Sequence, residues 1–471
     1  MKDQKKWKKT RLFKELLSLE IETLNILPEK MVIPLKQHTS GICEPLVDVG
    51  DSVVIGQKIG EAKSYNSAPV HSSVCGEVTA IEDAPHPDGS RVRSIIIKPN
   101  NSEESIDFSP INNPTDSQLI SCIKNAGVVD YTGEPIHSIL KPESNNINIV
   151  IINATCPEWM VGYSNSVYNA PEQLLEMLKL LMKASGASKG VIVLSNDDKE
   201  SIDAFERTTI DGKPVHVAPL IGKRTINYYF EDMNSDRIVV SQDRISGKNI
   251  KNLFTYHLTG CKVPPEKNPC DAGVAVFSVK SAKALYDAIY QGKPSFETII
   301  SVSGVGDANP RKVLVKVGTL FKDVIEALGG YRENSVKLIA NGTMTGIAQY
   351  TDEIPVTKTT TGITVQTEDE LSAHETYPCV HCTKCVDNCP MELVPSRLAI
   401  LADQGRFDEC REMHVMSCIE CGRCAAICPS KRHLLQLNRY AKEAIRRAYE
   451  DYQPKEESSN VTLGCSCGGG Q

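Results

Sequence analysis

The sequence predicts an α/β multidomain protein that closes with a helical, cysteine-rich module. Three observations carry that class. Turn signals recur every 8–12 residues through the stretch 30–105, the pattern of a small β-barrel or sandwich. Helix and strand patterns alternate over 115–290, which argues for a parallel sheet flanked by helices. The spacing C-x2-C-x2-C-x3-C-P occurs twice, from Cys379 to Pro390 and from Cys418 to Pro429. A chain of 471 residues makes about three domains a fair prior, and 41% hydrophobic content is enough for sizeable cores. The net charge of -7 argues against nucleic acid as a partner. No stretch approaches the roughly 18 apolar residues of a membrane span, and the basic N-terminal segment lacks the apolar core of a signal peptide. A cytoplasmic protein is expected, touching a membrane only by docking on membrane partners.

Residues 1–26 read as an amphipathic helix, with Leu12, Leu16, Leu17 and Leu19 on or near one face. Residues 27–108 are β-rich, with short apolar runs broken at Val49-Gly50-Asp51, Ile55-Gly56-Gln57, Ala68-Pro69 and Cys75-Gly76. Their order resembles the lipoyl/biotinyl hammerhead fold. Lys63, the nearest candidate for a modified lysine, stands in surroundings that do not match, so no covalent lipoyl or biotinyl group is expected.

Residues 109–294 form the α/β domain. Ile147 to Ile152 is an apolar strand, and GVIVLSND, VHVAPLIG and RIVVSQD read as further strands. PEQLLEMLKLLMKASGA is a helix with Pro171 at its start and Gly186 at its stop. VFSVKSAKALYDAIYQGKP reads as a second strong helix, ended by Gly292. Residues 295–366 read strand, turn, strand, helix, strand, a compact β-grasp-like unit. Residues 367–450 carry the cysteine runs and a long amphipathic closing helix. The polar tail 451–471 presents Cys465 and Cys467 as a Cys-x-Cys pair and is expected to be mobile, either a swinging dithiol or an incidental end.

The cysteine runs carry the chemistry. The spacing is that of bacterial ferredoxins, in which three thiolates on a tight loop reach one [4Fe–4S] cluster and the fourth ligates the other. One cluster is therefore expected on Cys379, Cys382, Cys385 and Cys428, and the other on Cys418, Cys421, Cys424 and Cys389. Structural zinc needs only two C-x2-C pairs and does not ask for the third cysteine or the Cys-Pro ending.

A weak internal repeat marks the β-rich domain. His38 precedes Cys43 and His71 precedes Cys75. Two readings stand. In one, Cys43 is a nucleophilic redox thiol activated by His38 or His71, with Cys75 as its resolving partner. In the other, the thiols are small buried residues and the histidines are hydrogen-bonded in a core.

The order of these parts, over about residues 27–445, resembles the RnfC component of the Rnf electron-transport complex, related to the flavin-bearing, NADH-oxidising subunit of respiratory complex I. VIPLKQH, EPLVDVGDSVVIGQKI, DAGVAVFSVKSAKALYDAIYQGKP, NGTMTG, PVTKTTTGI and CIECGRCAAICPSKRHL carry the resemblance. It implies electron transfer between NADH, a flavin and two clusters. The chain departs from that family at the loops expected to bind the flavin and NADH. Its glycine-rich loop reads NAGVVDYTGEP, which keeps Gly127, Gly133 and Pro135 but loses the paired glycines and adds Tyr131 and Glu134. The following acidic loop reads NATCPEW, which keeps Asn153, Ala154, Cys156 and Glu158 but has Thr155 for the first acid. FMN and NADH binding are expected to be weakened, altered or lost. Cys43, Cys75 and the Cys-x-Cys tail resemble the branch of the family associated with proline reductase, with Cys43 where a selenocysteine is expected. Under that resemblance the acceptor is D-proline reductase and the donor is NADH through a flavin, a partner flavoprotein or a ferredoxin. The alternatives are an RnfC component docked in a membrane Rnf complex and a binding module with structural clusters. Thr357 and Lys358, in the PVTK loop, read as structural.

Overall fold

The computed structural model describes residues 19–61, 64–111, 114–141, 146–154, 170–195, 199–210, 213–214, 217–220, 237–241, 250–265, 267–307, 309–371 and 376–450. The chain divides into two compact units. The first comprises 1–244 and 273–371, the second 245–272 and 372–471. The segment 245–272, with its helix Ile250–Thr259, falls in the second unit.

In the first unit, the β-rich domain is two facing sheets. Met31–Pro34, Arg91–Pro99, Gly76–Pro85 and Ser52–Val53 make a four-stranded antiparallel sheet, and Glu44–Pro45, Lys58–Glu61 and Val70–His71 a three-stranded one. Alternating apolar positions such as Ile33, Ile59, Val78, Ile95 and Ile97 point inward and form one core.

The α/β domain is a five-stranded parallel sheet in the order Val217–Leu220, Arg237–Ser241, Lys189–Ser195, Ile149–Asn153, Val274–Ser278. The last strand corrects the sequence reading. Val274–Ser278 is extended and wholly buried, and the helix begins only at Val279, with Ser278 accepting at its Oγ from the N–H of Ser281 as N-cap. A continuous apolar run before a serine fits a buried parallel strand better than a first helical turn. Pro171–Ser185 is a helix as read, with Pro171 in its first turn and Gly186 left-handed at φ 76° just past its end.

Five strands between Glu297 and Thr367, joined by Ile21–Thr23, form a six-stranded mixed sheet covered by the helix Phe321–Ala327. Its outer strand is a second departure. Ile21–Thr23 lies where an N-terminal helix was expected and pairs parallel to Arg311–Lys316, while Leu24 packs on the core below. The β-branched Ile21 and Thr23 suit an open sheet edge. Residues 1–18, the remainder of the expected helix, lie outside the described residues.

In the second unit, the helices Pro395–Asp403, Phe407–Glu412 and Leu434–Glu450 bury Leu398, Leu401, Ala402, Cys410, Val415 and Ala441 between them. The two cysteine runs are carried on loops beside this core.

Candidate metal centre

Each cysteine run builds the same backbone. His381 and Thr383 have φ of 49° and 59° in the first run, and Glu420 and Gly422 have 57° and 74° at the equivalent places in the second. Three residues past each fourth cysteine the pattern recurs, at Glu392 (φ 56°) and Lys431 (φ 53°). Left-handed backbone is uncommon outside glycine and costly for β-branched threonine. Both runs adopt it at the same three places. A short helix follows each loop, Lys384–Asp387 and Arg423–Ile427, and carries the fourth cysteine away from its own run.

The result is two small cavities, one beside each loop. Cys379, Cys382, Cys385 and Cys428 line one; Cys418, Cys421, Cys424 and Cys389 line the other. The structure thus brings the eight cysteines together in the crossed grouping expected from the spacing. Among the described residues no set of three or more His, Cys, Asp or Glu closes around a single ion. The donor set suits a cationic inorganic core. Burial, and then the neighbouring Cys418 and Cys421, push the Cys424 thiol up to about 12. Cys418 and Cys421 are also raised, burial first, although the backbone N–H groups of Glu420 and Arg423 donate to them and pull the other way. Iron bound here would hold these crowded, buried sulfurs as thiolates, with the N–H groups of Glu420 and Arg423 supporting that form.

The two cavities differ in their surroundings. At the second, the carboxylate of Glu420 accepts from Lys442 Nζ and Arg439 Nε, each at 2.9 Å, and Lys442 Nζ also donates to the carbonyl of Cys418 at 2.9 Å. Lys442 is 1% exposed. At the first, His381 takes the place of Glu420 and is exposed, as are Val380 and Cys382. Sequence reading missed Glu420, Arg439 and Lys442; polar residues on the inward side of the closing helix were the available signal.

The other candidates sit in the first unit. Cys43 is buried, donates to the carbonyl of Ala68 at 3.3 Å, and lies 3.5 Å from His38 Nε2. Burial pushes the Cys43 thiol up to about 11, against the pull of Lys358. Burial, then the charge of Lys358, holds His38 down at about 4, and His71 is lowered for the same two reasons. A neutral imidazole beside a raised thiol does not favour a thiolate, which weighs against the activated-nucleophile reading of Cys43 and His38. Cys75 is buried and donates instead to the carbonyl of Glu104 at 2.7 Å, and both thiols are free. Cys156, Glu158, Cys465 and Cys467 lie outside the described residues.

Lys358 is fully buried, and its Nζ donates to the carbonyls of Pro69 (2.9 Å) and Gly127 (2.8 Å). It ties the β-rich domain, the loop after residue 126 and the PVTK loop together. Thr357, also buried, pairs with Thr359 and Thr360. Gly127, left-handed at φ 63°, has no room for a Cβ, which would meet the carbonyl of Pro69 at 2.4 Å and Lys358 Nζ at 2.7 Å. Gly133 packs beside Thr39 and closes a tight turn by donating its N–H to the carbonyl of Asp130. Both glycines thus seat the loop on the barrel. Asn153 ends its strand in register with Ser278.

Between them lies a residue that sequence reading passed over. Asp130 is 0% exposed. Its Oδ1 accepts from Ser278 Oγ at 2.6 Å, from Ser281 Oγ, and from the Ser278 N–H at 3.4 Å. Lys280, next in the helix, is buried, donates to Thr298 Oγ1 and the Thr360 carbonyl, and is held down at about 7 by burial, with Asp130 opposing. This corner does not fit a further phosphate, because a carboxylate already takes the donors one would use.

Comparison with known proteins matches this layout piece by piece. Residues 14–102 match the RnfC barrel sandwich hybrid domain, 123–287 the Nuo51 FMN-binding domain, and 378–432 a 4Fe-4S dicluster domain. The chain is 46% identical over 434 residues to the C component of the ion-translocating oxidoreductase complex of Methanosarcina acetivorans, covering 92% of this chain and 96% of that protein. It is 31% identical to the C component of the Na(+)-translocating ferredoxin:NAD(+) oxidoreductase complex of Acetobacterium woodii, over 89% of this chain and 91% of that one. With the proton-translocating counterpart of Clostridium ljungdahlii it shares 28% identity over 91% of each. These relatives are Rnf components and not reductase-associated carriers, so the proline reductase partner loses its support. Barrel sandwich, flavin-type α/β domain and dicluster module, in that order and along nearly the whole chain, place this protein in the RnfC family of iron–sulfur electron-transport proteins.

Proposed function

We propose that this chain is the RnfC component of an Rnf-type, ion-translocating ferredoxin:NAD oxidoreductase complex, and that it conducts single electrons through two [4Fe–4S] clusters. The observation that carries the reading is the pair of cavities, each lined by three cysteines of one run and the fourth of the other. Cys379, Cys382, Cys385 and Cys428 hold one cluster; Cys418, Cys421, Cys424 and Cys389 hold the other. When bound, the clusters supply one-electron transfer.

The chain's own residues fix the conditions of that transfer. Left-handed backbone at His381, Thr383, Glu420 and Gly422 turns thiols and N–H groups toward each cavity. Exposed Cys382 and Val380 give the first cluster a face open to a partner protein, while the ion-paired Glu420 and buried Lys442 stand beside the second. The chain sits on its complex through partner proteins; among the described residues no helix is long and apolar enough to cross a membrane. Tagged chain recovered from membranes of its native host should bring membrane-spanning partners with it and show two cluster signals by electron paramagnetic resonance after dithionite reduction. Recovery of the cluster-bearing chain alone, under mild detergent, would sink the complex; a chain without cluster signals would sink the conduit.

A further inference from the structure

The region matching an FMN-binding domain, residues 123–287, should take a phosphate if it binds that flavin. In a parallel sheet, ligands gather past the carboxyl ends of the strands, and phosphates sit on the N-termini of helices that start there. The helix Val279–Tyr290 starts at that edge, directly from the strand Val274–Ser278. The loop that keeps Gly127 and Gly133 reaches this helix start through Asp130.

We infer that Asp130 is a built-in anion standing in the phosphate position of this domain, so that the chain carries no FMN there and exchanges only single electrons with its partners. Three contacts support it: the hydroxyls of Ser278 and Ser281 and the N–H of Ser278 all converge on one carboxylate oxygen that is closed off from solvent. These are the donors that a helix start offers a phosphate. A phosphate brought to the same donors would press its negative charge on the carboxylate. The two neighbouring glycines, which could let a backbone approach a phosphate, are instead packed against Thr39, Pro69 and Lys358.

The inference rests on the electron-conduit reading and sharpens it. A hydride brings two electrons and a proton to one acceptor, whereas each cluster takes one electron. Without a flavin in this chain, the step that splits the pair belongs to a partner protein of the complex, and the carriers on either side of this chain are one-electron donors and acceptors.

The test uses the full-length, anaerobically reconstituted chain. It is incubated with FMN, desalted, and assayed for flavin released on denaturation; its melting temperature is also followed with and without inorganic phosphate. Wild type should retain under about 0.1 FMN per chain and show no phosphate effect. Asp130→Gly should retain at least about fivefold more FMN and be stabilised by phosphate, as a site binding only the folded state must be. Wild type holding close to one FMN per chain would overturn the inference, and so would a folded Asp130→Gly chain indifferent to both ligands. If that variant fails to fold, Asp130→Ser, which can still accept from the helix start, undergoes the same two measurements with the same criteria. Iron content is read on each sample, so a failure of the conduit reading shows as missing clusters whatever the flavin result.

Discussion

The cysteine module and the α/β domain treat their binding spaces in opposite ways. The module holds left-handed backbone at His381, Thr383, Glu392, Glu420 and Lys431 and keeps two cavities open. The α/β domain relaxes its corresponding corner: Asp130 satisfies Ser278 and Ser281, Lys280 satisfies Thr298 and the Thr360 carbonyl, and Lys358 seals Gly127 to Pro69. The two regions differ in kind: the module carries left-handed backbone beside its cavities, whereas the α/β corner carries hydrogen bonds among its own side chains.

Changing single ligands breaks the comparison most severely. Cys428→Ser should abolish the cluster signal of Cys379, Cys382 and Cys385, although Cys428 lies in the second run, and should leave the other signal in place. Cys389→Ser should do the reverse. Iron should fall to about half in each variant. Loss of the cluster within the mutated residue's own run would refute the crossed grouping.

A gentler change sharpens the contrast within the module. Lys442→Met removes a buried positive charge that donates to the Cys418 carbonyl. The potential of that cluster should fall by on the order of tens of mV, with the other cluster unmoved. Equal shifts in both would show that the charge does not act locally.

In the first unit, His38 is held at about 4 and His71 is lowered, both chiefly by burial. The unfolded chain therefore takes up protons first as pH falls from about 6.5 toward 4, and the folded state loses stability over that window. His38→Gln should flatten this part of the pH profile of thermal unfolding. An unchanged slope would show that His38 does not contribute. Smallest of all, Cys43→Ala should cost about 1 kcal/mol of stability by chemical denaturation and leave electron transfer from dithionite-reduced chain to an acceptor unchanged. A collapse of transfer with both clusters present would restore the redox-thiol reading.

What the sequence made legible follows from the range of the interactions involved. The cysteine grouping depends on spacing within each run and on a known crossing rule, so it could be written down residue by residue. The strands at Ile149–Asn153 and Lys189–Ser195 were legible because buried parallel strands are continuous apolar runs. Val274–Ser278 was absorbed into the helix it feeds, since periodicity alone does not separate a buried strand from a first turn. Ile21–Thr23 became a strand because a sheet edge about 290 residues away was open to it. Asp130 was hidden for the same reason: its partners Ser278 and Ser281 lie 148 and 151 residues downstream. An acid inside a glycine-bearing loop, with a serine pair after an apolar strand, was the only local trace. His38 and Cys43 were legible as neighbours, but the direction of their titration was not, because burial set it.

The most direct test of the electron conduit without its own flavin is the elemental and flavin content of the anaerobically purified chain. About eight iron and about eight sulfide per chain are expected, with no stoichiometric FMN. Zinc in place of iron, or one FMN per chain alongside the clusters, would contradict it.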